Sequence, residues 1–231
     1  MTTGDTVRRL FVSPHLDDAV FACGQWIASS SHPIVVTIFA GSAPRGAALT
    51  PWDEECGFDE DDDVVARRRD EDRAALRILG AHPVWLDFRD DQYGEARSTQ
   101  AIAEALQHVA ESTSPAAIHC PLGLFHADHR RASDASLALF DRFPSLAWHV
   151  YEDAIYRRIP GAIDARLHDL GDAGFALVRA AQAMANDAAV RKYEAVACYR
   201  SQLRALRTRN AHDDVFASEA HWTLSCDEGA P

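Results

Sequence analysis

Four short runs rich in apolar and β-branched residues, at 7–12, 34–39, 84–87 and 117–120, alternate with three longer amphipathic segments at about 19–29, 63–79 and 99–111. Strands joined by helix-length crossovers pair in parallel, because a hairpin needs only a few connecting residues. The alternation therefore predicts an α/β fold: a Rossmann-like three-layer sandwich with a mostly parallel central sheet and helices on both faces. Gly80 stands where the second helix should end. Further along, the pattern predicts a helix over about 129–140, a strand over 147–151, a strand pair at 162–168 and 175–180, and one long helix over 186–206. With 231 residues, 47% of them hydrophobic, the chain can bury one substantial core, and it is read as a single domain over 1–231.

Two polar clusters interrupt this pattern at equivalent places. Pro14, His15, Leu16, Asp17 and Asp18 follow the first strand, and His126, Ala127, Asp128 and His129 follow the fourth. In open α/β sheets ligands collect at the carboxyl ends of strands, so both clusters should open on one rim. The segment after the third strand, with Asp87, Asp90, Asp91 and Tyr93, should open there too. A lone Asp before a helix is ordinarily an N-cap. Two adjacent carboxylates gain little over one cap and repel each other, whereas a cation would offset the repulsion and His15 offers a nitrogen ligand nearby. Together the clusters supply two imidazoles and a carboxylate for one divalent metal, with a carboxylate and an imidazole to spare for acid and base work. Two histidines and one carboxylate leave a coordination position open, which is the mark of a catalytic site.

Other features narrow the function by exclusion. A net charge of −12 argues against nucleic acid or an anionic membrane surface as partner. Met1 to Thr6 are polar, and no apolar run is long enough for a membrane span. The cysteines Cys23, Cys56, Cys120, Cys198 and Cys226 are odd in number and scattered, as in a reduced cytoplasmic protein. The acid run over 53–63 lacks calcium-loop spacing and reads as a solvated part of a long connection over 40–63, a lid or a disordered stretch. A phosphoacceptor receiver domain would also carry an acidic pair after its first strand. It needs a lysine after its fifth strand, and the single lysine here, Lys192, falls in a late helix.

The two clusters resemble the motifs of the LmbE-like, or PIG-L, family of zinc-dependent N-deacetylases, written P/A-H-P-D-D-E and H-x-x-H. Arg68 to Glu71, Pro121-Leu122-Gly123, Tyr151-Glu152-Asp153 and Tyr199 to Gln202 are also similar to members of that family. The resemblance implies that His15, Asp18 and His129 hold Zn2+, another divalent transition metal being an alternative, and that Asp17 is the general base. It makes His126, oriented by Asp128, the imidazole that assists the leaving amine or the oxyanion. Arg68 is expected at the substrate by the same resemblance, and Asp90 because its loop follows a strand on the active rim. The implied partner is a small N-acetyl sugar or glycoconjugate, and a homo-oligomer is left open. The sequence departs from the motifs at Leu16 and Ala19, which replace a proline and a glutamate, and at Leu124, where some members carry a tyrosine. Two further readings stand beside deacetylation: an amidase for a larger acyl group or thiol conjugate, and a noncatalytic metal-dependent carbohydrate-binding protein.

Overall fold

β1 (Arg9–Ser13), the strand that leads into the first motif, lies near the middle of the sheet. It pairs in parallel with β2 (Pro33–Thr37) on one side and β4 (Ala117–Pro121) on the other, with Phe11 opposite Val35 and His119. A computed structural model describes residues 7–94, 98–181 and 183–226, so the polar start at Met1 to Thr6 lies outside the described residues. Among these, seven strands form one sheet in the order β3-β2-β1-β4-β5-β7-β6, with β3 at His82–Trp85, β5 at Ala147–Tyr151, β6 at Phe175–Ala180 and β7 at His221–Cys226. The first five strands are parallel, and β7 runs antiparallel to both β5 and β6. The chain winds outward from β1 through β3, then crosses over to β4 and winds the other way. The topological switch point therefore falls between β1 and β4, at the strand ends that carry the two motifs.

Alternation along the strands divides the interior into two cores. Leu10, Val12, Ile34, Val36, Trp148 and Val150 face one side, and Phe11, Val35 and Tyr151 face the other. Helices α1 (Asp18–Ala28), α3 (Val64–Leu79) and α7 (Ala188–Val196) cover the Phe11 side. Helices α4 (Thr99–Thr113), α5 (Ala127–Leu137) and α6 (Ala162–Asp172) cover the Leu10 side. This is the three-layer α/β sandwich that the strand and helix alternation predicts.

The last third differs from expectation in three places. Residues 162–168 are the first part of α6 and not a strand. Ile163, Leu167 and Leu170 share a helical stripe against the core, while buried Arg166 donates to the Leu122 carbonyl at 2.8 Å and to Ser133 Oγ at 2.9 Å. The strand that pairs with β6 is instead β7, which the sequence reading missed. The long helix expected over 186–206 is two, α7 and α8 (Arg200–Thr208), broken at 197–199. The break lets Tyr199 turn inward, fully buried, and donate to Asp72 at 2.7 Å. Likewise, the connection at 40–63 contains an ordered helix, α2 (Pro51–Cys56). Thr50 and Asp53 form a capping box at its start, and buried Asp53 also accepts from the Tyr93 hydroxyl at 3.2 Å, so this member of the acid run is structural.

Behind the sheet, His119, His149 and His221 gather around Trp26. His221 stacks on Trp26 with ring centroids 4.1 Å apart, and His119 stacks on His149 at 4.7 Å. Neither ring nitrogen of His119 or His221 has a hydrogen-bond partner within the protein. Burial, then the neighbouring imidazoles, hold His119 well below its ordinary range, and burial is likewise the main cause that pushes His221 down to about 3. A histidine kept neutral in the folded state contributes stability that is full above the unfolded value near 6.5 and is lost as pH falls toward the folded one. Across that window one such imidazole costs about 1.4 kcal/mol per pH unit. Denaturant unfolding between pH 6.5 and 5 should therefore show the wild-type midpoint losing ground to that of His221→Phe as pH falls, because the variant takes up no proton at this position on unfolding. A difference between the two proteins that does not change over this window would exclude His221 as a source of acid sensitivity.

Candidate active site

The first motif turns tightly at the end of β1. Ser13 Oγ donates to the His15 carbonyl at 2.6 Å and accepts from the Ala19 amide at 3.0 Å, which binds the turn to the first residues of α1. Asp17 occupies the N-cap position, yet its side chain caps nothing. Its Oδ1 is buried and has no hydrogen-bond partner, so the helix-cap explanation does not account for this carboxylate. Asp18 turns back instead: its Oδ2 accepts from the His15 amide at 2.8 Å and lies 3.1 Å from His15 Nδ1.

The second motif arrives from β4. Gly123, at φ 84°, lets the chain pass close to Ser133, where a β-carbon would come within 2.6 Å of the serine side chain. The amides of Gly123 and Leu124 donate to Asp153 Oδ2 at 2.9 and 3.0 Å. This places α5 so that His129 Nε2 lies 3.2 Å from Asp18 Oδ2. Donor atoms of His15, Asp18 and His129 all lie within 4.8 Å of one another, a spacing that fits one metal ion. Each imidazole also has a carboxylate at its other nitrogen: Asp128 at 3.2 Å from His15 Nε2, and Asp153 at 2.5 Å from His129 Nδ1. Metal-ligating histidines are held in this way, with the second nitrogen fixing the tautomer and ring orientation.

Charge supports the same fit. Asp17, Asp18, Asp90, Asp128 and Asp153 are all buried around these rings. Burial opposes the charged forms of both histidines, but neighbouring carboxylates prevail, chiefly Asp90 at His15 and Asp18 at His129, so that His15 is held well above its usual range and His129 near 9. Burial likewise opposes ionisation of Asp18, and His129 and His15 overcome it and hold the carboxyl well below its usual range. Burial, then the Asp18 charge, pushes Asp17 up to about 8. The cluster attracts positive charge, and a divalent cation would satisfy it more fully than two imidazolium protons.

A second group, His15, His126 and Asp128, also has metal-compatible spacing. It shares His15 with the first, and Asp128 is already engaged by the Asp91 amide at 2.9 Å and the Arg131 guanidinium at 2.7 Å. The first triad is thus the better metal site. The same contacts correct the expectation that the Asp128 carboxylate orients His126. What reaches His126 is the Asp128 backbone amide, which donates to Nδ1 at 3.2 Å, making His126 the N-cap of α5. That bond leaves the ring proton on Nε2, and burial together with His15 and His129 keeps the ring neutral by lowering its pKa.

These side chains line a cavity of about 210 Å³ formed by His15, Asp17, Asp18, Arg68, Asp90, His126 and His129, with Trp52, Gln92, Ile155, Tyr156, Gln202 and Arg209 completing the wall. Arg68 and Asp90 are 3.7 Å apart, and Arg68 Nε is buried without a partner. Glu71 lies off the cavity, where it accepts from the Ser201 amide and hydroxyl at the start of α8. Leu124 is buried in the core, and the tyrosine on the cavity wall is Tyr156. Sequence reasoning missed the roles of Asp153, Tyr156 and Trp52. Only Asp153 carried a signal, its place after β5 on the same rim.

A Rossmann-like sheet whose switch point presents two histidines and a carboxylate, with a buried acid beside them, has the make-up of a hydrolase site able to hold a divalent metal. The sequence profile of the PIG-L family, described as GlcNAc-PI de-N-acetylase, matches residues 10–140, more than half of the chain, and the protein belongs to that family of deacetylases. A triple mutant of a deacetylase of the teicoplanin biosynthetic pathway is 25% identical, with a TM-score of 0.81 over 96% of this chain and 100% of the other. The A40926 pseudoaglycone deacetylase Dbv21 is 26% identical, with a TM-score of 0.76 over 98% of this chain and 100% of its own. N,N'-diacetylchitobiose deacetylase from Pyrococcus horikoshii, 18% identical, shares the fold at a TM-score of 0.56 over 96% of this chain and 85% of its own. No curated protein matches the chain by sequence.

The buried carboxylate behind His129 provides a test of this geometry. Asp153→Asn should weaken the binding of any divalent ion at this triad about 10- to 100-fold, as loss of such a partner does at other metal-ligating histidines. Competition with a chromophoric chelator would measure it, and wild-type affinity in the folded variant would exclude the orienting role.

Proposed function

We propose that this protein is a zinc-dependent N-deacetylase that removes the acetyl group from an N-acetylated amino sugar or its conjugate, giving acetate and a free amine. The observation that carries this reading is Asp17 Oδ1, buried and unpartnered beside a triad of two histidines and a carboxylate. His15, Asp18 and His129 would hold the ion, and two imidazoles with one carboxylate suit zinc. When bound, zinc supplies a Lewis acid that polarises the acetyl carbonyl and makes a water more acidic.

The protein's own groups divide the remaining work. Asp17 stays outside the triad, and a cation held there would favour its charged form against burial and the Asp18 charge, so its free oxygen accepts the proton of the attacking water and then carries it to the departing nitrogen, which would otherwise leave as a poor anion. Neutral His126 presents Nε2–H to the carbonyl oxygen as negative charge develops there, a contribution of about 3 to 4 kcal/mol for a well-placed donor. Asp128 helps by setting the His126 tautomer through its amide and by holding His15 through its carboxylate. Arg68 and Asp90 form a polar wall suited to sugar hydroxyls, with the buried Arg68 Nε in want of an acceptor.

The cavity volume favours acetyl over a larger acyl group. At about 210 Å³ it is smaller than the roughly 300–1,000 Å³ of pockets that enclose drug-sized ligands. Similar proteins named for deacetylation of the A40926 pseudoaglycone and of N,N'-diacetylchitobiose support the sugar-conjugate class. Against a noncatalytic role, the departures at Ala19 and Leu124 place both side chains in the apolar core, leaving the cavity's acid and imidazole complete. No helix among the described residues is long and apolar enough to cross a membrane, and free Cys23, Cys56, Cys120, Cys198 and Cys226 suit a reducing cytoplasm.

Primary-amine release from N-acetylglucosamine and its glycosides should be abolished by a chelator and restored by zinc. Asp17→Asn should keep zinc and lose about 10²- to 10⁴-fold in turnover, whereas Asp18→Ala should lose the metal. Full activity in zinc-loaded Asp17→Asn would remove the general base from the mechanism.

A further inference from the structure

Phe125 is the most exposed large apolar side chain among the described residues, at 77% relative accessibility, and it stands immediately before His126. Its backbone is in the left-handed region at φ 59°, and the His126 amide closes back onto the Leu124 carbonyl at 2.6 Å, a three-residue γ-turn. A bulky residue gains nothing from this conformation, which glycine or asparagine would adopt at lower cost. The turn is held on both sides: Leu124 is buried and its amide donates to Asp153, while His126 caps α5. Strain of this kind persists where surrounding structure enforces it, and it gathers at ligand clamps.

The ring thus held outward is not isolated. It lies 5.5 Å from the ring of Tyr156, which forms part of the cavity wall and stands 5.0 Å from His129 and 6.2 Å from His126. Tyr156 and Phe125 together continue the wall from the cavity over its rim. Asp90, Gln92 and Arg68 make up the polar part of the same cavity. A cavity of about 210 Å³ has room for an N-acetyl sugar and little more, so whatever the sugar carries must lie across the rim. We infer that Phe125, backed by Tyr156, is a specificity-determining aromatic platform that binds a flat, apolar aglycone attached to the N-acetyl sugar. The inference rests on the deacetylase reading for where the sugar sits, and its physical basis is the preference of aromatic rings for offset or edge-on contact with other flat rings.

Equilibrium binding and turnover together test the two readings separately. Calorimetry on zinc-loaded Asp17→Asn, which should hold substrate without cleaving it, would compare the methyl and phenyl β-glycosides of N-acetylglucosamine. Phenyl should bind about tenfold more tightly than methyl, and that ratio should collapse toward one when Phe125→Ala or Phe125→Gly is added. The glycine variant relieves the backbone while removing the ring, so loss of the preference in both variants assigns it to the ring and not to a disturbed turn. In the active enzyme the phenyl-to-methyl ratio of kcat/KM should fall about tenfold in the same variants. Equal binding of the two glycosides, binding of neither, or a preference that survives in Phe125→Gly would overturn the platform. So would a change in sedimentation behaviour on Phe125→Ala with the preference intact, which would make the ring a contact between copies of the chain. Selective phenyl binding with no amine released by the wild type would uphold the platform and defeat the deacetylase reading instead.

Discussion

A single carboxylate oxygen, Asp18 Oδ2, lies 3.1 Å from one imidazole and 3.2 Å from another that belongs to a motif more than a hundred residues away. The arrangement around it follows from the cost of burying charge. Five aspartates sink into one region, and burial of that much negative charge is tolerable only with compensating cations and hydrogen bonds. His15, His129, Arg68 and Arg131 supply part of it from α1, α3 and α5 and the loops before them. The remaining deficit is what suits the cluster to a divalent ion. The sheet's contribution is to bring β1 and β4 side by side, so that the two motifs share a rim without any long reach.

Within that cluster, the groups differ by how completely each is satisfied. Asp153 accepts two loop amides and an imidazole, and Asp128 accepts an amide and a guanidinium besides lying against His15. Both are positioning residues, locked in place. Asp17 and Arg68 each keep a buried atom with no partner, and both face the cavity. Unsatisfied polar atoms cost stability, and these two, aimed into one cavity, leave bonding capacity for something that enters from outside. The imidazole of His126 occupies an intermediate position, since one nitrogen is spent on capping α5 and the other is left for the cavity.

The fold of the first half was legible because strand and helix periods alternate cleanly there, and because the active rim of a parallel sheet is a topological consequence of that order. His15, Asp17, Asp18, His126, Asp128, His129, Arg68 and Asp90 all gather near the predicted rim. Sequence could not reveal which nitrogen each carboxylate holds. Asp128 lies two residues from His126 and one from His129, and only the direction of the helix start turns its carboxylate toward His15. In the last third, Ile163 and Leu167 were compatible with either period over a short window, and the break at 197–199 carries neither glycine nor proline. There, tertiary contacts such as Tyr199 on Asp72 outweigh the local pattern. Tyr156 reaches the cavity from an irregular segment, where spacing has no period to read, and Trp52 from the six-residue helix α2, too short to show one.

The order of the sheet has a consequence for how the chain is completed. β6 has a single neighbour, β7, which is made some forty residues later and inserts between β5 and β6. A ribosome delivers the chain from the N-terminal side, so β1 to β5 and the whole motif rim can assemble while β6 still lacks a hydrogen-bonding partner. Until β7 emerges, β5 presents an open edge whose neighbours in a crowded cell include other nascent copies. His221, at the start of β7, then packs onto Trp26 of α1. Closure of the sheet is thereby tied to the first helix, and the last strand to arrive seals the element that the first motif begins.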